Sequence, residues 1–151
     1  MPGVELTNMI MIRHPETGKV VVQDRVKSWK GYSFPGGHLE NGESIVASTV
    51  REAYEETGLK VRDLEFCGMI HWSNNETFER YLVFLFRTES FEGELITETE
   101  EGKNCWMDLD VLRELPSDND FPKYIPMFTE NRYSEAFGDW NDKEPWDIVY
   151  L

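Results

Sequence analysis

Cysteine is scarce, with Cys67 and Cys105 the only two in 151 residues. Two lone cysteines exclude a disulfide-stapled scaffold, and both lie among apolar neighbours, so reduced core thiols are expected. Positive charge is also short: 15 Lys and Arg stand against 29 Asp and Glu, a formal net charge of -14, with no Lys/Arg run to make a local exception. Such a surface repels phosphate backbones and makes polymeric DNA or RNA a poor partner. It suits divalent cations, which can carry a polyanionic ligand to an acidic site. Long apolar runs are missing, and the longest, Tyr81 to Phe86, is far too short to span a membrane. No charged-then-apolar start with a cleavage site is present, so a soluble cytoplasmic protein is expected. Repeats, low-complexity tracts and linkers are lacking too. One domain over residues 1–151 is expected, as a monomer or homodimer.

Aromatics are plentiful, with 9 Phe, 6 Tyr and 5 Trp, enough for a dense core. Thr7 to Ile12 and Val20 to Val22 are apolar runs flanking His14-Pro15-Glu16-Thr17-Gly18, a turn by composition, and a hairpin between them is expected. The polar loop Asp24 to Ser33 carries Arg25, Lys27 and Lys30. Phe66 to Ser73 and Thr77 to Thr88 read as strands joined across Asn74-Asn75. Tyr81 to Phe86 is apolar on both faces, as in a central strand. An acidic loop (Thr97 to Lys103), a short strand (Asn104 to Met107) and a helical turn (Leu109 to Leu115) follow. A helix is expected from about Pro122 to Glu130. The tail from Phe137 carries Trp140, Trp146 and Tyr150, and its last residues are expected to form an edge strand.

The densest signal runs from Gly36-Gly37-His38-Leu39-Glu40-Asn41-Gly42-Glu43 to Arg51-Glu52-Ala53-Tyr54-Glu55-Glu56-Thr57-Gly58-Leu59. Ser44 is the expected N-cap and Gly58 the expected C′ residue of a helix of about 13 residues. On a helical wheel Val46, Val50, Ala53 and Tyr54 share one face, the expected core stripe, while Glu52, Glu55 and Glu56 gather on the opposite, exposed one. Three carboxylates on one turn repel one another and call for a cation or raised pKa values. A solvated helix face is the plain alternative. The offsets of Gly37, Glu43, Arg51 and Gly58, which a solvated face does not require, favour a metal and phosphate site.

Gly37, five residues, Glu43, seven residues, Arg51-Glu52-Ala53, one residue, Glu55-Glu56, one residue, Gly58-Leu59 resembles the Nudix box at every specified position. The resemblance implies an α/β fold, the Nudix α/β/α sandwich with a mixed central sheet and the loop-helix. It implies Mg²⁺- or Mn²⁺-dependent hydrolysis of a nucleoside diphosphate linked to another moiety. Glu52, Glu55 and Glu56 would supply the carboxylates that hard cations prefer, with the Gly37 carbonyl as a further ligand. Glu43 and Arg51 would form an ion pair that ties the loop to the helix, which Gly58 ends. The base is implied to be Glu52 or Glu101. Glu101 resembles the loop glutamate that adds a metal ligand or base in MutT-like members, a solvated acidic loop being the alternative. Glu52, Glu55, Glu56 and Glu101, with Arg51, make up the implied catalytic set.

The Phe34-Pro35-Gly36-Gly37 lead-in and the Val20 to Arg25 strand resemble the MutT branch, which implies oxidised purine nucleoside triphosphates such as 8-oxo-dGTP as substrates. Arg25 would fork onto phosphate, or is an ordinary solvated cation. Asn119 would read a purine edge with its amide, or Asp118-Asn119-Asp120 caps the next helix. One of Trp29, Tyr32 and Phe34, with Phe34 preferred, would stack on the base. Other Nudix substrates, namely ADP-ribose, dinucleoside polyphosphates and capped RNA ends, stay open, as does a nucleotide-binding module without catalysis. Such modules usually lose box glutamates, and all four are present here. An isoprenoid-type isomerase would want a reactive cysteine, whereas both cysteines read as buried. His14, His38 and His71 are too scattered for a transition-metal site.

Overall fold

The computed structural model describes residues 1–143 and 147–151, so Trp146 of the tail lies outside the described residues. In chain order the elements are β1 (Val4–Ile12), β2 (Val20–Arg25), β3 (Gly31–Ser33), β4 (Gly36–His38), helix α1 (Ile45–Thr57) and β5 (Lys60–Arg62). Then come β6 (Glu65–Asn74), β7 (Arg80–Thr88), β8 (Ser90–Glu92), β9 (Glu98–Thr99), β10 (Gly102–Met107) and α2 (Leu109–Glu114). A 3-10 turn (Phe121–Lys123), α3 (Ile125–Thr129), β11 (Glu135–Trp140) and β12 (Ile148–Tyr150) complete the order.

A six-stranded mixed sheet, ordered β12-β11-β6-β7-β1-β4, is the backbone of an α/β sandwich. Its central strands are apolar on both faces because both faces are covered. Along β1, Met9 and Met11 enter one buried cluster with Phe34, Phe121, Met127 and Phe128. Ile10 and Ile12 enter a second with Ala53 of α1 and Val61 of β5. A four-stranded sheet, β3-β2-β10-β9, leans on the first, and a small pair, β5-β8, completes the fold.

Four expectations from the sequence need correcting. The β1 and β2 runs form no hairpin: they share only an isolated bridge, Arg13 to Val20, because each is buried on both faces and takes a central place in a different sheet. β6 and β7 do pair, but across a longer loop in which Asn74 Oδ1 accepts from the backbone N–H groups of Glu76 and Thr77 at 2.9 and 3.0 Å. The helix after residue 121 is split into the 3-10 turn and α3, since Pro126 lacks the N–H that would bond back across the junction. Cys105 is exposed and only Cys67 is buried. The period of two along β10 buries Asn104 and turns its neighbours Lys103 and Cys105 outward.

Helix α1 also turns a different face inward. Ser44 caps its first turn, accepting from the Ala47 N–H, and Gly58 ends it with φ +77°. Val46 and Tyr54, however, are 49% and 50% exposed, while Ser48, Thr49, Ala53, Glu56 and Thr57 are buried. The inward hydroxyls are satisfied within the helix, Ser48 and Thr49 donating to the Ile45 carbonyl at 2.7 and 2.8 Å. Small side chains let α1 come close to β1 and β4, and that brings Glu56 inside.

β11 packs so tightly that a Cβ on Gly138 would lie 1.8 Å from the Trp72 ring, which Tyr124 holds through a 2.7 Å hydrogen bond from Trp72 Nε1. Gly138→Ala is therefore expected to destabilise by about 1–3 kcal/mol. Calorimetry would read this as a Tm loss of about 2–4 °C per kcal/mol, and an unchanged Tm would contradict the packing.

Candidate active site

Short strand β4 pairs with β1, Gly37 opposite Asn8. Its glycines are required by close approach. A Cβ on Gly36 would meet the Asn8 carbonyl oxygen at 2.1 Å, and one on Gly37 would meet the Glu52 carboxylate at 2.4 Å. Asn8 braces the junction, donating to Ser48 Oγ of α1 at 3.0 Å and accepting from the Gly37 N–H at 3.3 Å.

Beyond β4 the chain loops to Glu43, and Arg51 ties that loop to α1. Its guanidinium donates to Glu43 at two points (Nε to Oε2 2.7 Å, Nη2 to Oε1 3.0 Å) and to the His38 carbonyl at 3.0 Å. Nη1 reaches Glu52 Oε1 at 2.9 Å and Glu55 Oε2 at 3.1 Å. The hydrogen bonds from Arg51 hold the Glu43 carboxyl below its usual range, and the same pairing pushes the Arg51 pKa up, so the cation is permanent.

Glu56 stands apart from this network. It is 7% exposed and accepts the Gly36 N–H at 3.0 Å. Burial, with the nearby Glu52 charge, pushes its pKa up to about 8, against the pull of Gly36 and Arg25. Burial likewise raises Glu52, opposed by Arg51 and helped by Glu55 and Glu101. Glu101, between β9 and β10, is close enough to be felt by both Glu52 and Glu56, and its carboxylate lies 3.8 Å from Lys27 Nζ. The expectation that all three helix glutamates are exposed is corrected: only Glu55 is.

A cleft of about 450 Å³ is lined by Gly36, Gly37 and Asn8, by Arg25, and by Trp29, Trp72, Tyr81, Tyr124 and Trp140, and its two glycines lie against Glu56 and Glu52. Arg25 borders it, its guanidinium bonded to Ser28 O at 3.0 Å. Phe34 reaches the cleft floor but is wholly buried, edge-on to Phe121 and Phe128 at 4.8 and 5.0 Å. With both neighbours in place it offers no open face for stacking. Asn119 does not border the cleft. Its amide nitrogen donates to the carbonyls of Trp29 and Lys30 at 3.3 and 3.0 Å, and its oxygen accepts from the Phe121 N–H and Ser117 Oγ at 2.9 and 3.0 Å. The amide is spent on joining two loops, and the acid that borders the cleft is the next residue, Asp120, whose pKa burial raises.

The sequence reading missed Trp72, Tyr81 and Trp140 as cleft residues. Trp72 and Tyr81 are cross-strand partners, and only the pairing of β6 with β7 puts their rings side by side. Trp140 comes from β11, a strand whose start the tail composition did not reveal.

Among the described residues no three His, Cys, Asp or Glu side chains converge on one point as metal ligands. Glu52 and Glu55 instead turn to Arg51. The donor set is nonetheless all oxygen, and a buried carboxyl whose pKa is raised to about 8 is a group that a cation would relieve. In donor chemistry Glu52, Glu55, Glu56 and the Gly37 carbonyl are thus of the kind that a hard divalent cation takes.

Glu56 links this site to stability. Between the usual 4.5 and about 8 the folded protein holds a proton that the unfolded chain has released. Stability thus falls as pH rises through that window and levels off above it. In metal-free protein Glu56→Gln is expected to remove that loss, on the order of a few kcal/mol, so that the variant has the higher Tm at pH 9 and the same Tm at pH 4. Added Mn²⁺ should raise the wild-type Tm more than the variant's at alkaline pH. Parallel Tm curves for the two proteins would refute the buried-acid assignment.

The family model for the NUDIX domain matches residues 6–128. The chain is 33% identical over 100 residues to the Nudix hydrolase YvcI of Bacillus subtilis, covering 64% of this chain and 62% of that protein. It is 33% identical over 95 residues to the NAD-capped RNA hydrolase NudC of Pseudomonas aeruginosa, covering 62% and 33%. It is 35% identical over 84 residues to the oxidized purine nucleoside triphosphate hydrolase of Danio rerio, covering 56% and 51%. The chain thus spans less than two thirds of the length of each of these relatives. Among solved structures, a MutT protein from Bacillus halodurans aligns with a TM-score of 0.75 at 21% identity, over 95% of this chain and 97% of that one. The NUDIX domain of Shewanella oneidensis NrtR, complexed with ADP ribose, aligns with a TM-score of 0.66 at 16% identity, over 86% and 88%. At such identities the likeness speaks to the fold alone. Since the family model covers most of the chain, the loop, helix α1 and strands β2 to β10 included, the chain belongs to the Nudix family.

Proposed function

We propose that this chain is a divalent-cation-dependent pyrophosphohydrolase that converts purine nucleoside triphosphates, oxidised ones such as 8-oxo-dGTP included, to the monophosphate and pyrophosphate. The observation that carries the reading is the cleft itself, which is lined by the aromatic residues Trp29, Trp72, Tyr81 and Trp140, by Arg25, and by Gly36 and Gly37, the two glycines that lie against Glu56 and Glu52 of α1. A flat apolar base fits the aromatic residues, and a phosphate chain fits Arg25 and the glycines. The Danio rerio relative, an oxidized purine nucleoside triphosphate hydrolase, supports the choice of nucleotide.

Glu52, Glu55, Glu56 and the Gly37 carbonyl would hold Mg²⁺ or Mn²⁺. When bound, the cation neutralises phosphate charge and lowers the pKa of an attacking water. Arg25 pairs with phosphate oxygens at the cleft border. The hydrolytic water gives its oxygen to phosphorus as the bridging P–O bond breaks and pyrophosphate leaves. Its proton passes to a carboxylate, and Glu101, poised near Glu52 and Glu56, is the proposed acceptor, with Glu52 the alternative. Arg51 braces the loop against the helix through Glu43. Asp120 offers a carboxyl to the base, and Asn119 holds the loop that carries it.

A second reading has one observation in its favour: the NudC relative is an NAD-capped RNA hydrolase. The same cleft would then take a dinucleotide pyrophosphate, although the net charge of -14 disfavours a long RNA attached to it. A panel of 8-oxo-dGTP, dGTP, ADP-ribose, NAD and diadenosine polyphosphates, compared by kcat/KM with Mg²⁺, tests both. The triphosphates are expected to lead by about tenfold or more, a margin that one well-placed hydrogen-bonding set can supply. NAD or ADP-ribose in the lead would overturn the nucleotide assignment.

Glu101→Gln is expected to lower kcat by about 10²–10⁴-fold, the usual contribution of a general base, with Tm unchanged because the side chain lies in a loop. A Glu101→Gln variant with near-wild-type kcat would overturn the assignment of Glu101 as the base.

A further inference from the structure

The end of α1 that carries Glu56 is held by a buried amide pair outside the 37–59 segment. Asn104 of β10 is 5% exposed, and its Nδ2 donates to the backbone carbonyls of Glu56 and Ile96, each at 2.8 Å. Carbonyls only accept, so these two partners fix which amide atom is nitrogen. The oxygen then faces Gln23, its partner across the β2–β10 ladder, and accepts from Gln23 Nε2 at 3.4 Å. Gln23 is wholly buried, and this orientation leaves its Oε1 as the one buried side-chain polar atom without a hydrogen bond among the described residues. An orphaned buried acceptor destabilises. What Gln23 contributes is the donor to Asn104 Oδ1 and with it the orientation of Asn104.

The last carbonyls of a helix have no donors within it. Here the Thr57 carbonyl accepts from the Ile96 N–H at 2.8 Å, and the Glu56 carbonyl is taken by Asn104. The strand that grips the helix end is the one that emerges from the Glu101 loop, Asn104 standing three residues after Glu101. Resting on the hydrolase reading above, we propose that Asn104, oriented by Gln23, is a positioning residue that fixes the separation of Glu101 from Glu52 and Glu56 and so keeps the carboxylates in register for a divalent cation. The motif along the helix supplies the carboxylates, and this bridge between sheet and helix sets their spacing.

The test compares Asn104→Ser and Gln23→Met with Val61→Ala, a core variant remote from the cleft. Each is measured for Tm, for affinity toward Mn²⁺ alone by titration calorimetry, and for kcat and KM on the best nucleotide of the panel above. Asn104→Ser is expected to weaken Mn²⁺ binding about tenfold and to lower kcat about as much, as loss of a ligand-supporting hydrogen bond does, with KM within about threefold. Gln23→Met removes the orphaned acceptor but also the donor to Asn104 Oδ1, so Tm is expected to change little while Mn²⁺ affinity and kcat move in the same direction by about threefold. It decides the matter if Asn104→Ser does not fold. Mn²⁺ affinity and kcat that stay at the Val61→Ala values would overturn the proposal. A wild-type protein that binds Mn²⁺ but hydrolyses no nucleotide would sink the hydrolase reading instead, and the Mn²⁺ titrations would still decide the role of Asn104.

Discussion

One guanidinium holds four carboxylates together in this fold. Arg51 pairs at two points with Glu43 and extends to Glu52, Glu55 and, at 3.7 Å, Glu40. Without it, the loop and the second half of the helix would carry uncompensated like charges a few ångströms apart. Its reach ends before Glu56, the residue after Glu55 and turned inward, so that carboxyl meets its burial cost through the Gly36 N–H and a retained proton. That placement constrains the surrounding backbone. The helix must come close enough for the bond, so β4 is built from glycines, and the face turned inward is lined by serine, threonine and alanine rather than valine.

That inversion explains which parts of the molecule were legible in the sequence. The loop-helix and its caps could be read because capping and left-handed residues act over three or four positions, and Ser44 and Gly58 do so here. The buried face of α1 could not, because a wheel ranks side chains by hydrophobicity, and here close packing and local hydroxyl bonding outweigh it. The edge position of β12 and the central position of β7 were evident from local composition. The supposed β1–β2 hairpin failed because apolar runs on either side of a turn usually pair, and nothing local says that each run is the middle of its own sheet.

The cleft was legible only in part for a related reason. Its aromatic wall is assembled from β6, β7, β11 and the loops that carry Trp29 and Tyr124, and contacts across so many elements leave no spacing in the chain. The triplet Asp118-Asn119-Asp120 lies on a loop that touches the cleft through Asp120. Within it the amide and the carboxyl divide the work: the amide makes four hydrogen bonds that lash the loop to Trp29, Lys30, Ser117 and Phe121, which leaves Asp120 on the cleft. Trp29 is held there with φ +49°, a backbone shape that non-glycine residues adopt only when their surroundings impose it.

The charge distribution bears on which anions reach this cleft. A chain with net charge -14 repels any phosphate compound at long range, yet the repulsion decays over a Debye length of roughly 8–10 Å at physiological salt. On the proposed function, a nucleotide with its counter-cation would be short and largely neutralised, screened over most of its approach, and would meet Arg25 at the cleft. A polymer has to lay many phosphates along an acidic surface, and each adds to the opposing energy. On the proposed function, the acidic surface would therefore favour a small cation-bound anion over an extended one.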